Sequence, residues 1–172
     1  MEILTSIISH FPEAGEVKKI SPLTSGLINK TYLVQTLDDS ASDYILQCIN
    51  HQVFTDVDML QHNIEVITAH IRKKLEEKQT KDRFLKSDTG KTYYFDGEKY
   101  WRMCVFIPDS RTLDAVTPES SYLVGLKFGE FEAMLTDLPE PLGETIPDFH
   151  NMKFRMQQLR EAVQKDAVGR ME

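Results

Sequence analysis

The sequence predicts an α+β fold: an antiparallel sheet with one long helix laid on it, followed by a helical region. Three observations predict it. Residues 17–50 contain three short runs in which apolar and polar side chains alternate, separated by turn residues, which is the period of half-buried strands. Residues 56–78 carry Met59, Leu60, Ile64, Ile67, Ile71 and Leu75 in a three-and-four rhythm, the period of an amphipathic helix. Strand-rich composition then ends at Pro108-Asp109-Ser110, beyond which the chain reads as helix.

Each element follows from its own signals. Ile3, Leu4, Ile7, Ile8 and Phe11 fall at helical spacing and Pro12 stops the run, so a short helix packs on the outside of the sheet. Val17 to Leu23 and Lys30 to Leu37 form a hairpin across Ser25-Gly26, a pair that permits a tight reversal. Asp38 to Ser42 turns the chain into a third strand, Tyr44 to Asn50, and Asp56 to Lys78 is the long helix. Arg83 to Lys86 is a short strand ending at Asp88-Thr89-Gly90. Thr92 to Phe95 and Lys99 to Ile107 pair across Asp96-Gly97. Ser120 to Leu135 is helical, 138–147 is a Pro- and Gly-containing loop, and a last helix runs from about Lys153 to the C-terminus with no convincing stop.

Composition excludes several functions. A chain of 172 residues with 41% hydrophobic and 27% charged residues is an ordinary globular sequence. Its net charge of -7 provides no basic field for nucleic acid. Cys48 and Cys104 lie in apolar runs without CxxC spacing and read as reduced core cysteines. The five histidines form no metal-binding pattern. No basic-then-apolar N-terminal segment and no long apolar span is present, so no membrane partner is expected and the cytoplasm is the expected compartment.

The stretch Gly26-Leu27-Ile28-Asn29-Lys30-Thr31-Tyr32-Leu33-Val34, then Tyr44-Ile45-Leu46-Gln47-Cys48-Ile49-Asn50, then Phe106-Ile107-Pro108-Asp109-Ser110, then Glu144 to His150 followed by Arg155, then Lys165 to Arg170, resembles the anomeric sugar kinases that phosphorylate N-acetylhexosamines at C1. These belong to the aminoglycoside phosphotransferase and choline kinase superfamily. The blocks occur in the family's order and cover nearly the whole chain. The resemblance implies a protein-kinase-like N-terminal lobe at 1–107, a hinge or linker at 108–117 and the beginning of a helical catalytic lobe at 118–172. It also implies ATP and Mg as cofactors and a sugar as acceptor.

In such a lobe, backbone amides around Ser25, Gly26 and Leu27 cover the phosphates, and Asn29 and Thr31 offer side-chain donors at the end of the loop; the plain reading of Asn29 is a residue capping its own turn. Alternation sets Ile45 and Gln47 on one face of their strand. The resemblance places Ile45 over the adenine and Gln47 where a lysine usually stands. A glutamine donates a hydrogen bond but brings no charge, so the usual ion pair with the helix becomes a Gln47–Glu65 hydrogen bond. Arg102 offers a replacement cation, although an arginine in a strand is ordinarily a surface or salt-bridging residue. Phe106, Ile107 and Asp109 form the hinge that meets the adenine edge, with Pro108 unable to donate. His150 and Arg155 are expected to pack the lobe junction.

Kinases of this superfamily use an HxDxxxxN-type loop and a further metal-binding Asp. No histidine here is followed two places later by Asp, so the chain alone is expected to be inactive, and no catalytic or metal-ligating residue is assigned within it. The expectation is the N-terminal portion of a kinase, whose uncovered docking surface favours self-association. The competing expectation is a non-catalytic nucleotide-sensing or interaction module that keeps the small-lobe fold.

Overall fold

Successive side chains of a strand point to opposite faces, and in this protein each face receives its own helix. The computed structural model describes residues 2–24, 26–38, 42–75, 83–110 and 115–170. The strands β1 (Val17–Leu23), β2 (Lys30–Thr36), β3 (Tyr44–Ile49), β4 (Tyr94–Phe95) and β5 (Tyr100–Val105) form an antiparallel sheet in the order β1-β2-β3-β5-β4. One face carries Val34, Tyr44, Leu46, Trp101 and Met103, buried against Ile7, Ile8 and Phe11 at the end of α1 (Glu2–Ile8). This is the main core. Tyr44 Oη donates to the Glu13 carbonyl at 3.0 Å and fixes the link from α1 into β1.

The opposite face receives α2 (Val57–Lys74), whose first turn is capped by Asp56 accepting from the Met59 N–H. Ile49, Val57, Leu60 and Tyr93 form a second, smaller core there. The buried positions of α2 are Val57, Leu60, Gln61 and Asn63, so two amides share the inward side with the apolar stripe. The expected extension of this helix to Lys78 lies outside the described residues beyond Leu75.

Three expectations are corrected. Among the described residues the short strand at 83–86 makes only one bridge, Phe84 to Cys104, held by Leu85 N to Met103 O and Val105 N to Arg83 O at 2.9 Å each. The last helix, α4 (Met152–Lys165), stops where Asp166 adopts φ 34 and its N–H returns to Ala162 O, an αL cap formed without glycine. Among the described residues His150 and Arg155 pack no junction: both are exposed, His150 edge-on to Phe149 and Arg155 bonded to Gln158. The helix α3 (Pro118–Leu135) begins in a reciprocal Thr117–Ser120 cap with Pro118 in its first turn.

α2 also anchors the segments beyond the sheet. Asn63 Nδ2 donates to Gly143 O at 2.8 Å and Gly143 N donates to Asn63 Oδ1 at 3.0 Å. A Cβ at Gly143 would overlap the Met59 thioether, so any larger residue there would have to displace that side chain. At the other end of α2, Lys74 Nζ donates to the Met134 carbonyl at 2.7 Å and pairs with Asp137, and His70 Nε2 lies 3.1 Å from the same carbonyl. Lys74 thus brings a cation to the carbonyl end of α3, the favourable pole of its dipole. α3 and α4 bury no residue, and Tyr122, Leu123, Phe128 and Leu159 are exposed.

The β4–β5 hairpin supplies a local test. Asp96 accepts from the Glu98 and Lys99 N–H groups and, at 2.7 Å, from the indole of Trp101, the sole tryptophan. Burial raises the Asp96 pKa, but the Lys99 N–H, the Trp101 indole and the Glu98 N–H outweigh it and the net shift is downward. A carboxyl that titrates lower when folded contributes stability above its ordinary value of 3.8 and loses it as pH falls through the folded value. Asp96→Ala is therefore expected to cost about 1–2 kcal/mol at neutral pH. In urea unfolding followed by Trp101 fluorescence, the gap between variant and wild type should close below about pH 4.

Candidate functional site

The register of the sheet lines up two different rows on the α2 face. Thr31 stands opposite Gln47, and Gln47 opposite Arg102. The next row on the same face is Leu33, Ile45 and Cys104. Two residues along a strand separate the rows, about 7 Å. Residues 26–29 lie beyond the polar row, and Phe106 and Ile107 leave β5 beyond the apolar row.

The polar row is bonded throughout. Gln47 Nε2 donates to Thr31 Oγ1 at 3.3 Å, and Gln47 Oε1 accepts from Arg102 Nε at 2.9 Å. Arg102 Nη1 donates to Oε1 of Gln61 on α2 at 3.2 Å, and Gln61 Nε2 donates to the Thr92 carbonyl and hydroxyl at 3.0 Å each. The Thr92 hydroxyl donates to Glu65 Oε1 at 2.7 Å. The expected Gln47–Glu65 hydrogen bond is thus replaced by a relay through Arg102, Gln61 and Thr92. Gln61 and Glu65 stand one turn apart on the same face of α2; the buried Gln61 is the one that meets Arg102, and the exposed Glu65 is reached through Thr92. Arg102 is also no surface residue: it is half-buried, its guanidinium carbon lies 5.5 Å from the centre of the Phe84 ring, and burial lowers its pKa. It forms no ion pair among the described residues.

The remaining candidates sit at the two ends of the rows. Ser25 lies outside the described residues. Gly26 is exposed with no positive φ, and a Cβ there would meet only Asn29 O at 3.6 Å and Thr31 Oγ1 at 3.9 Å. The backbone therefore does not demand glycine, and six residues join β1 to β2, the interval that the expected strand bounds leave. Leu27 is fully exposed at the loop's surface. Asn29 caps no turn of its own; its Oδ1 accepts from Asn50 N at 3.0 Å and ties the loop to the end of β3.

At the other end the Phe106 N–H is used by Asp43 O at 2.8 Å, while the Ile107 and Asp109 N–H groups find no partner among the described residues. Asp109 holds φ 59 and Ile107 is 54% exposed. A depression of about 440 Å³ adjoins this turn, with Gln35, Thr36, Asp43, Phe106 and Pro108 on its walls. Gln61 and Thr92 were invisible as site residues in the sequence, whereas Arg102 was already offered there as a replacement cation.

A similar fold occurs in a solved enzyme. The chain is similar to a spectinomycin phosphotransferase, APH(9)-Ia, whose structure was determined in complex with ADP and spectinomycin. The TM-score is 0.54 at 9% identity, over 98% of this chain and 46% of that one. The fold is a kinase-like N-terminal lobe. Helices that begin a second lobe come after it, and the chain spans a little under half the length of the enzyme it matches. No protein-family model matches the chain. No helix among the described residues is long and apolar enough to cross a membrane.

Within this small lobe the inward partner of the sheet is Gln61, and stability should reflect it. Gln61→Ala is expected to cost about 1–3 kcal/mol, because it strips a partner from Arg102 and from Thr92, against less than about 1 kcal/mol for Glu65→Ala. Equal costs in urea titrations would return Glu65 to the inward role.

Proposed function

We propose that this chain is the nucleotide-binding portion of an ATP-dependent small-molecule kinase whose acceptor is a sugar, an N-acetylhexosamine phosphorylated at its anomeric hydroxyl. The observation that carries the reading is the order of features along the α2 face. An exposed loop is succeeded by a polar row, an apolar row and a turn with unpaired N–H groups. Phosphates, base and base edge of a nucleotide succeed one another in that order and at that spacing. In this reading the Gly26–Leu27 amides and the Thr31, Asn29 and Gln47 donors hold the phosphate chain. Ile45 packs on the adenine, and the Ile107 or Asp109 N–H meets its edge. Phe106 shapes the hinge, and Glu65 acts at a distance through Thr92. The domain division at 107 and 118, the cytoplasm as compartment and the sugar acceptor belong to the same proposal, the acceptor on the strength of the sequence blocks from Gly26 to Arg170.

The residues present suit the nucleotide better than its metal. Side-chain donors converge on the polar row, whereas among the described residues no group of three His, Cys, Asp or Glu side chains could hold a metal ion. The magnesium ligands and the acceptor's base are therefore assigned to the remainder of the whole protein. ATP supplies the phosphoryl group, and this chain grips and orients it. The apolar side chains exposed on α3 and α4 fit a surface covered by the rest of that lobe, or by a second copy when the rest is lacking.

Saturating Mg-ATP should raise the melting temperature by about 3–8 °C; an unmoved transition would overturn the nucleotide role. In the whole enzyme, phosphorylation of the anomeric hydroxyl blocks ring opening. N-acetylhexosamine should therefore lose its reducing end in step with ATP consumption, whereas a product that keeps it would place the transfer on another hydroxyl.

A further inference from the structure

We infer that Arg102, reaching from β5, supplies the positive charge for the nucleotide's phosphate chain that Gln47 on β3 cannot supply, and that it aims the Gln47 amide at the same phosphates. The inference rests on the nucleotide reading above.

Four observations lead to it. First, of the charged residues on β2, β3 and β5, Lys30 pairs with Cys48 on the α1 face, and Arg102 is the cation on the α2 face. Second, its protein partners are neutral: the side-chain oxygens of Gln47 and Gln61, with Phe84 beneath. A half-buried guanidinium paired only with amides keeps its full charge for an incoming anion, whereas a carboxylate at either position would cancel it. Third, its Nη2 has no partner among the described residues, yet no buried side-chain nitrogen or oxygen lacks one. Nη2 therefore reaches solvent and is open to a ligand.

Fourth, the Nε–H of Arg102 settles which way the Gln47 amide points. Its oxygen faces Arg102, so its NH2 group faces Thr31 and the loop. One N–H of that group is bound to Thr31 Oγ1, leaving the other for a phosphate oxygen. The cation has thus moved one strand across the sheet, from the position of a β3 lysine to β5, and a planar fork has replaced a point charge.

The test compares ATP with adenosine by isothermal titration on the whole chain, in the wild type and in Arg102→Met, Arg102→Lys and the double variant Gln47→Lys/Arg102→Met. Adenosine reports the apolar row and the hinge; the added affinity of ATP reports the phosphates. In Arg102→Met the advantage of ATP over adenosine should fall about tenfold to a hundredfold, the worth of a charge-assisted hydrogen bond, with adenosine binding unchanged. Arg102→Lys should keep an intermediate advantage. Gln47→Lys in the methionine background should restore most of it by returning the charge to β3.

Wild-type ATP affinity in Arg102→Met would overturn the inference and leave the nucleotide reading standing. Equal loss of ATP and adenosine without rescue by Gln47→Lys would overturn it too, by making Arg102 a structural residue. A wild-type protein that binds neither ligand overturns both.

Discussion

A guanidinium held between two neutral amides, in the seam where a sheet meets a helix, is the constraint on which the rest of this structure turns. Burying a charge costs free energy, and proteins usually recover it with an opposite charge close by. Here Gln47 and Gln61 satisfy the geometry of Arg102 without touching its charge. The cost is tolerable because Nη2 retains solvent and because the Phe84 face lies beneath the guanidinium. A cation in that condition is poised for an anion from outside.

The contact also fixes two registers at once. Across the sheet it joins β5 to β3 and, through Gln47, to Thr31 at the start of β2. Out of the sheet it joins β5 to α2 through Gln61. The same helix grips the C-terminal segments: Asn63 clasps Gly143, and Lys74 with His70 closes the end of α3. Any shift of α2 along its axis would disturb the polar row at one side and the Gly143 contact at the other. Helix, sheet and second segment are thereby mechanically linked through side chains on two faces of one element.

Much of this was legible in the sequence because it depends on local periodicity. Alternation placed Ile45 with Gln47 and Tyr44 with Leu46, and the structure keeps those faces. Asp56 begins α2 where the sequence placed the start of that helix. The parts that were not legible depend on phase and on partners distant in the chain. The apolar rhythm of α2 could not say that Gln61 rather than Glu65 meets Arg102, since the two stand one turn apart on the same face. A lone arginine in a strand carries no sign of a glutamine 55 positions earlier. The role of Gly143 came from Met59 and Asn63, some eighty residues away. Asp166 ended α4 by adopting a conformation for which glycine was the expected residue.

The most direct measurement is a crystal structure of the chain with ADP bound. The account predicts the diphosphate over Thr31, Gln47 and Arg102, an Arg102 nitrogen within hydrogen-bonding distance of a phosphate oxygen, and the adenine over Leu33, Ile45 and Cys104. A diphosphate bound elsewhere, with Arg102 still bonded only to its two glutamines, would contradict it.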